Sequence, residues 1–292
     1  MTPERKLANR LGLILGTASA LLISVAMSHA SDKGNLTAEF HQTYPLAANG
    51  RVAVENINGP VHITAWDRNE VKVEAVKRAW SQERLDEAQI KVDAASDRIS
   101  IRTEYPDHDH TFWNDGHHDN PASMEYTVTV PRGASLDKID LVNGSLDVEG
   151  VAGEVRASCV NGHVTARGLQ GRTKLSTVNS RVEAQFEKLN GSAINLESVN
   201  GSVLLTLPSD SSAEVAASTV SGSISDEFGI GVVNHKYVGH DLHGQLGDGG
   251  TKIRLENVNG KIEIRRASDN RPLSPVKNLN RAEKDDDDDD EI

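Results

Sequence analysis

A three-residue phrase, valine followed by asparagine and glycine or a close variant, recurs through the chain and constrains the fold more than any other feature. The phrase begins at Val142, Val160, Val178, Val199, Val220 and Val258. Its second residues, at 143, 161, 179, 200 and 221, are 18, 18, 21 and 21 positions apart, and the last one, at 259, follows after 38. A recurring period of about 20 residues is typical of folds built from stacked repeats.

Each repeat predicts two short strands and two turns. Residues 145–149 and 154–159 alternate between apolar and polar side chains, which indicates half-buried strands. The Asn-Gly pair before the first strand predicts a tight turn, because glycine adopts positive φ freely and asparagine tolerates it, and residues 150–153 predict a second turn between the two strands. A register slip of one residue would expose the whole inward set, so the register is well specified. The residues expected to face inward are Val164, Ala166, Leu175, Val182, Ala184, Ile194, Leu196, Val203, Leu205, Val215, Ala217, Ile253, Leu255, Ile262 and Ile264.

Two architectures are compatible with this pattern. Asn-Gly is also a strong hairpin signal, so an antiparallel meander or sandwich is one of them. Stacked coils are favoured, because both kinds of corner recur in order and a small or polar residue precedes each phrase. These residues are Cys159, Thr177, Ser198, Thr219 and Asn257. We therefore predict an all-β fold, a β-solenoid or β-helix-like stack of two-strand coils, with an irregular N-terminal β section and one short helix.

The first 30 residues have the pattern of a secretory signal peptide. A basic start is followed by an apolar stretch from Leu11 to Met27 and by the small residues Ser28-His29-Ala30. We predict cleavage near Ala30, no stable membrane span afterwards, and a periplasmic or secreted protein. The alternative is an uncleaved anchor, because 17 residues are near the lower limit for a membrane span.

The remaining chain divides into three segments. Residues 36–137 form the irregular β section, with strands predicted at 70–79, 90–92, 98–104 and 124–130 and a helix at 81–89 capped by Ser81. The phrase already occurs in this section, since Arg51–Ile63 echoes Lys252–Ile264. Residues 138–266 hold the other repeats, interrupted by a glycine-rich insertion at 226–250 that predicts a long hairpin or lid-like loop. Residues 267–292 predict a disordered acidic tail that ends in six aspartates, a glutamate and an isoleucine.

These features together resemble a known family. An early VENINGPVHITAW strand pair and a later YTVTVP strand lead into serial VNG coils, over roughly residues 40–266. This arrangement is similar to the bacterial putative-adhesin domain family, exported β-strand-repeat proteins of unknown function related in form to the head domains of autotransporter adhesins. The resemblance implies an adhesin-like surface protein and no catalytic residues.

A histidine- and aspartate-rich loop at 106–122 is the strongest candidate for chemistry. Imidazole and carboxylate groups are ligands for divalent transition metals. The candidate ligands are His108, His110, His117, His118 and Asp119, and the alternative is a solvated loop that binds nothing. A second group, in the insertion, contains His235, His240, Asp241 and His243. If both loops served one site, their histidine nitrogens would converge on a single point.

Charge and motif content narrow the function further. The net charge of −12 disfavours nucleic acid and anionic membranes, which require basic patches. Cys159, the one cysteine, has inward parity and is predicted to be a buried apolar residue and not a nucleophile. We found no catalytic motif, cofactor fingerprint or paired carboxylates, so we predict no enzyme and no cofactor. The predicted function is a binding surface for an envelope protein or polysaccharide; the alternatives are a metal-binding module and a polysaccharide-active β-helix enzyme.

Overall fold

The computed structural model of this protein describes residues 36–105, 121–235 and 238–280. The predicted signal peptide, the five candidate metal ligands of the first histidine loop and the aspartate run lie outside these residues. Within them the chain is almost entirely β structure, with a single helix of six residues. The prediction of an all-β fold with one short helix is therefore confirmed.

The elements follow one another with short connections. In chain order they are β1 (Leu36–Pro45), β2 (Arg51–Asn58), β3 (Val61–Trp66), β4 (Glu70–Ala79), α1 (Gln82–Glu87), β5 (Gln89–Ala94), β6 (Arg98–Glu104), β7 (Ser123–Pro131), β8 (Ser135–Asn143), β9 (Leu146–Glu149), β10 (Val155–Asn161), β11 (Val164–Leu169), β12 (Thr173–Thr177), β13 (Val182–Phe186), β14 (Ile194–Asn200), β15 (Val203–Leu207), β16 (Ala213–Asp226), β17 (Val232–Asn234), β18 (His240–Leu246), β19 (Thr251–Arg266) and β20 (Val276–Asn278).

Successive repeats pair in parallel and in register. Val155 on β10 lies beside Thr173 on β12, which lies beside Ile194 on β14, so each strand is offset from the next by one whole repeat. The strands on either side of an Asn-Gly corner pair with other repeats and not with each other: β8 pairs with β2 and β10, while β9 pairs with β3 and β11. The corners therefore do not join antiparallel neighbours, as a meander or sandwich would require.

The pairings arrange the strands in two rows. Row 1 contains, in spatial order, β5, β6, β2, β8, β10, β12, β14, the first half of β19, the first half of β16, and β18. Row 2 contains β1, β4, β7, β3, β9, β11, β13, β15 and the second halves of β19 and β16. The rows are continuous through the corners of β16 and β19. Every residue predicted to face inward is buried, and the inward side chains form one hydrophobic cluster.

The last repeat does not occupy the place that its position in the sequence suggests. Strand β19 lies between β14–β15 and β16, so residues 251–266 separate two repeats that precede them. The inward side chains give a physical reason. Strand β19 presents aliphatic residues inward on both sides of its corner, whereas the inward positions of β16 end with Asp226, beside Ile264. A carboxylate there is less costly in a terminal coil than between two others.

Both ends of the stack are capped by antiparallel strands. Strand β18, from the insertion, covers the outer edge of β16 between Ala213 and Thr219, and β17 and β20 pair with its other edge. The segment of β19 after Gly260 is internal, since it pairs with β15 on one edge and β16 on the other. At the other end lie β1, β4 and helix α1, whose N-cap Ser81 accepts a hydrogen bond from the Arg84 backbone N–H. Residues 267–280, assigned from sequence to the acidic tail, pack against the stack through β20 and the buried Ser274.

Candidate functional site

The glycines of the Asn-Gly turns, here called corner glycines, are needed mainly because neighbouring coils come too close there for a side chain. Their backbone angles are only part of the reason. A Cβ at Gly162 would lie 2.0 Å from the Gly144 carbonyl oxygen, and one at Gly201 would lie 1.7 Å from that of Ser180. Among the corner glycines only Gly59 and Gly260 have positive φ, so the conformational argument made from the sequence was wrong at the others. At one corner serine, Ser180, takes the place of glycine. There the strand before the corner ends at Thr177 and the strand after it begins at Val182.

The inward residue before each phrase donates a hydrogen bond to the turn of the neighbouring coil. Cys159 Sγ lies 3.1 Å from the Gly144 carbonyl oxygen, and Thr177 Oγ1 lies 3.0 Å from that of Gly162. Ser198, Asn257 and Thr219 make the equivalent bonds. Cys159 is 3% exposed, and burial raises the pKa of its thiol, so the predicted structural role of this residue is consistent with its surroundings.

The asparagines of the corners form a hydrogen-bonded ladder along the stack. Asn161 Nδ2 donates to Asn143 Oδ1 at 2.9 Å, and Asn161 Oδ1 accepts from Asn179 Nδ2 at 2.8 Å. The ladder runs over six coils through Asn58, Asn143, Asn161, Asn179, Asn200 and Asn259. Each of the five rungs uses one of the two amide hydrogens of its donor, so each asparagine other than Asn58, which only accepts, has one amide hydrogen that the ladder does not use.

The outer face of row 1 carries three parallel columns of side chains. We call the first the valine column: Ile57, Val142, Val160, Val178, Val199, Val258 and Val220, each between 39% and 52% exposed. Two residues earlier on each strand is the acid–serine column: Glu55, Asp140, Ser158, Ser176, Glu197, Glu256 and Ser218. Two residues earlier again is the basic column, whose charged members are Lys138, Arg156, Lys174 and Arg254.

The valine column was not recognised from the sequence, although its parity was visible. Each valine directly follows an inward residue, so it must face outward if the strand continues to the corner. A groove of about 530 Å³ lies between the valine and acid–serine columns over five coils. Neighbouring strands are about 4.8 Å apart, so the seven side chains form an apolar stripe roughly 29 Å long. Its exposed area, on the order of 400 Å², is in the range of the largest apolar patches on monomeric proteins.

A second concave region, of about 550 Å³, lies at the capped end of the same face. It forms where the short Ala216 stands between Arg254 on β19 and His243 on β18. Its charged groups interact with one another: His235 Nε2 lies 2.6 Å from Asp241 Oδ2, and the Arg254 guanidinium pairs with Glu256.

The second histidine group does not converge on one point. His243 Nε2 lies 3.1 Å from Glu214 Oε1, and His240 Nδ1 lies 2.6 Å from Asn234 Oδ1, so each histidine of the group has a different partner. Across residues 36–105, 121–235 and 238–280 there is no cluster of three or more metal-ligating side chains. The metal site predicted at His108, His110, His117, His118 and Asp119 lies outside this part of the chain and stays a prediction.

Solved structures from three bacteria match about four-fifths of the chain at low identity. A putative cell adhesion protein from Clostridium sporogenes is 11% identical, with a TM-score of 0.45 over 78% of this chain and 100% of that chain. A putative adhesin from Bacteroides fragilis is 12% identical, with a TM-score of 0.31 over 78% of this chain and 97% of that one. One from Parabacteroides merdae is 8% identical, with a TM-score of 0.34 over 77% and 95%.

The names of these three neighbours are those of putative adhesins and a putative cell adhesion protein. No family model and no curated protein matches the chain. Within the described residues, no helix is long and apolar enough to cross a membrane.

Proposed function

We propose that this protein is an exported, non-enzymatic binding module, and that the outer face of row 1 is its binding surface. The observation that carries the proposal is the valine column. The seven aliphatic side chains of this column leave apolar surface in contact with water, which is unfavourable. They are not members of the buried hydrophobic cluster. A contiguous apolar stripe with polar columns beside it has the composition of an interaction surface.

The regularity of this surface follows from the way in which the coils stack. We propose that the fold is the flattened β-solenoid predicted from the sequence. Parallel, in-register pairing from β8 to β15 and the asparagine ladder both support this description. Export to the periplasm or the cell exterior rests on the signal-peptide pattern of residues 1–30.

The partner is better described as a protein than as a polysaccharide. Carbohydrate platforms commonly use exposed aromatic rings, and the three columns of this face contain aliphatic, hydroxyl and charged side chains instead. The asparagine ladder and the serines supply hydrogen-bonding groups at the rim of the apolar stripe.

Site-specific photo-crosslinking in cells that produce the full chain tests the proposal, and it captures whichever partner is bound at the chosen position. A photoreactive residue is placed at Val178, in the valine column, or at Glu183, which faces outward on row 2 of the same repeat. We expect a discrete crosslinked product at 178 and little or none at 183. Equal products at both positions, or none at 178, would contradict the assignment of the surface.

A further inference from the structure

We propose that the partner of the valine column is a second copy of this chain, packed face to face with the two stacks parallel. This inference rests on the proposed function, because it names the occupant of the same surface. The first argument is the pitch of the column. Its side chains repeat every strand spacing, about 4.8 Å, and a second copy of the same stack presents the same side chains at the same repeat. Because the repeats are equal, two such columns stay in register and interdigitate along their whole length, as identical side chains do between paired sheets of stacked strands.

The columns beside the valines decide the relative orientation of the two copies. If the two-fold axis ran along the strands, each column would face itself in reversed order, which places Asp140 beside Glu256 and Lys138 beside Arg254, so like charges would meet. If the axis runs along the stack, the valines still face valines, but the acid–serine column of one copy lies beside the asparagine ladder of the other.

This second orientation pairs complementary groups at six of the seven levels of the stack, those that have a ladder asparagine. Glu197 would lie beside Asn200 of the other copy, Glu256 beside Asn259, and Ser158 beside Asn161. Each asparagine has at least one amide hydrogen that the ladder does not use, and carboxylate and hydroxyl oxygens are its natural acceptors. The basic column lies outside the contact, and the ion pairs of Lys138 with Glu55 and of Arg254 with Glu256 need not break, because a carboxylate has lone pairs for an amide hydrogen as well.

The size of the contact predicts a weak dimer. A strip three columns wide and seven coils long buries roughly 1,000 Å² in total, at the lower limit for specific protein interfaces. We therefore expect association that depends on concentration, with monomers at low micromolar and dimers at high micromolar protein.

Sedimentation of the purified mature chain measures the association. We expect the weight-average mass to rise toward that of a dimer as the concentration is raised from about 10 µM to 1 mM. The Val178→Asp/Val199→Asp variant should remain monomeric throughout. Because aspartate could impair folding, Val178→Thr/Val199→Thr serves as a second variant that keeps the β-branched shape and should weaken association at least tenfold. Gln185→Thr, exposed on row 2 of the same repeat, should leave the mass curve unchanged.

Cysteine crosslinking in a Cys159→Ser background distinguishes the two orientations. The parallel arrangement predicts that Val142→Cys forms a disulfide with its own equivalent in a second copy, and that Val258→Cys does the same. The opposite orientation predicts a disulfide only between the two variants when they are mixed. A strictly monomeric wild type at 1 mM, or the mixed disulfide alone, would overturn the inference. If the chain is monomeric but the photo-crosslink at 178 traps a different protein, the proposed function stands and the second copy is excluded; if neither is seen, both fail.

Discussion

Replacement of Gly162 by alanine tests whether the corners of neighbouring coils lie directly over one another and almost in contact. An added Cβ would lie 2.0 Å from the Gly144 carbonyl oxygen and 3.1 Å from Cys159 Sγ. Real Cβ atoms do not approach a backbone oxygen closer than about 3 Å, so one coil must move by roughly 1 Å relative to the next, in a part of the core that has little free volume. Overpacking of this kind usually costs about 1–3 kcal/mol, and here the obstacle is backbone that is held on both sides, so we expect about 3 kcal/mol or more.

The matched control is Gly191→Ala. Gly191 has a φ of +83°, but no atom lies within 4 Å of the position that a Cβ would occupy. Its substitution should therefore cost only the strain of the left-handed conformation, about 1–2 kcal/mol. Urea or guanidinium denaturation of both variants and wild type gives the two free-energy differences. If Gly191→Ala destabilises as much as Gly162→Ala or more, close approach of the coils does not cost the free energy expected here, and the reasoning is refuted.

Two further predictions concern buried groups. Cys159 should resist alkylation in the folded protein and react readily after denaturation, because burial raises the pKa of its thiol and the side chain faces the core; labelling monitored by mass spectrometry checks this, and rapid native-state modification would contradict it. Asp226 accepts hydrogen bonds from the Gly229 and Ile230 backbone N–H groups, but its Oδ1 is buried without a partner among the described residues, and burial raises the pKa of its carboxyl. Because that pKa is raised, the group favours folding below the ordinary carboxyl range near 4, and this contribution is lost as the pH rises through the folded-state pKa. Asp226→Asn keeps an acceptor for both N–H groups, so it should remove this part of the pH dependence and be neutral or stabilising at pH 7; an Asp226→Asn variant whose stability falls with pH in parallel with wild type would disprove the assignment.

Much of the fold could be predicted because period and parity are local properties of the sequence. The alternation in Leu146–Glu149 and Val155–Asn161 fixes which side chains face the core, and the spacing of the phrase fixes which residues are neighbours. Ser81 and the short amphipathic segment after it were sufficient to predict helix α1.

The order of the coils could not be read from the same pattern. A repeat period says that equivalent residues stack, but it does not say which repeat neighbours which, and the 38-residue step leaves enough chain for residues 251–266 to return between two earlier coils. The sequence does contain one signal of this order: Asp226 stands at an inward position of β16, and a charged group there suits a terminal coil.

The candidate site was missed because its residues were classified as turn residues. Val178 and its equivalents were assigned to a tight turn, although each also ends a strand in outward parity. Likewise, glycine at the corners has two physical explanations, positive φ and close approach, and only coordinates separate them.

The position of the last repeat is the central claim of this structural account, and disulfide formation between neighbouring strands tests it directly. In a Cys159→Ser background, Asn195→Cys is combined either with Arg254→Cys, its partner in the adjacent strand, or with Ala216→Cys, one strand further away. Adjacent parallel strands place Cα atoms about 5 Å apart, within the range of a disulfide, whereas two strand spacings, about 10 Å, are outside it. We predict that the Asn195→Cys/Arg254→Cys protein oxidises to an intramolecular disulfide and that the Asn195→Cys/Ala216→Cys protein does not. The reverse result would show that the repeats stack in sequence order and would contradict the account.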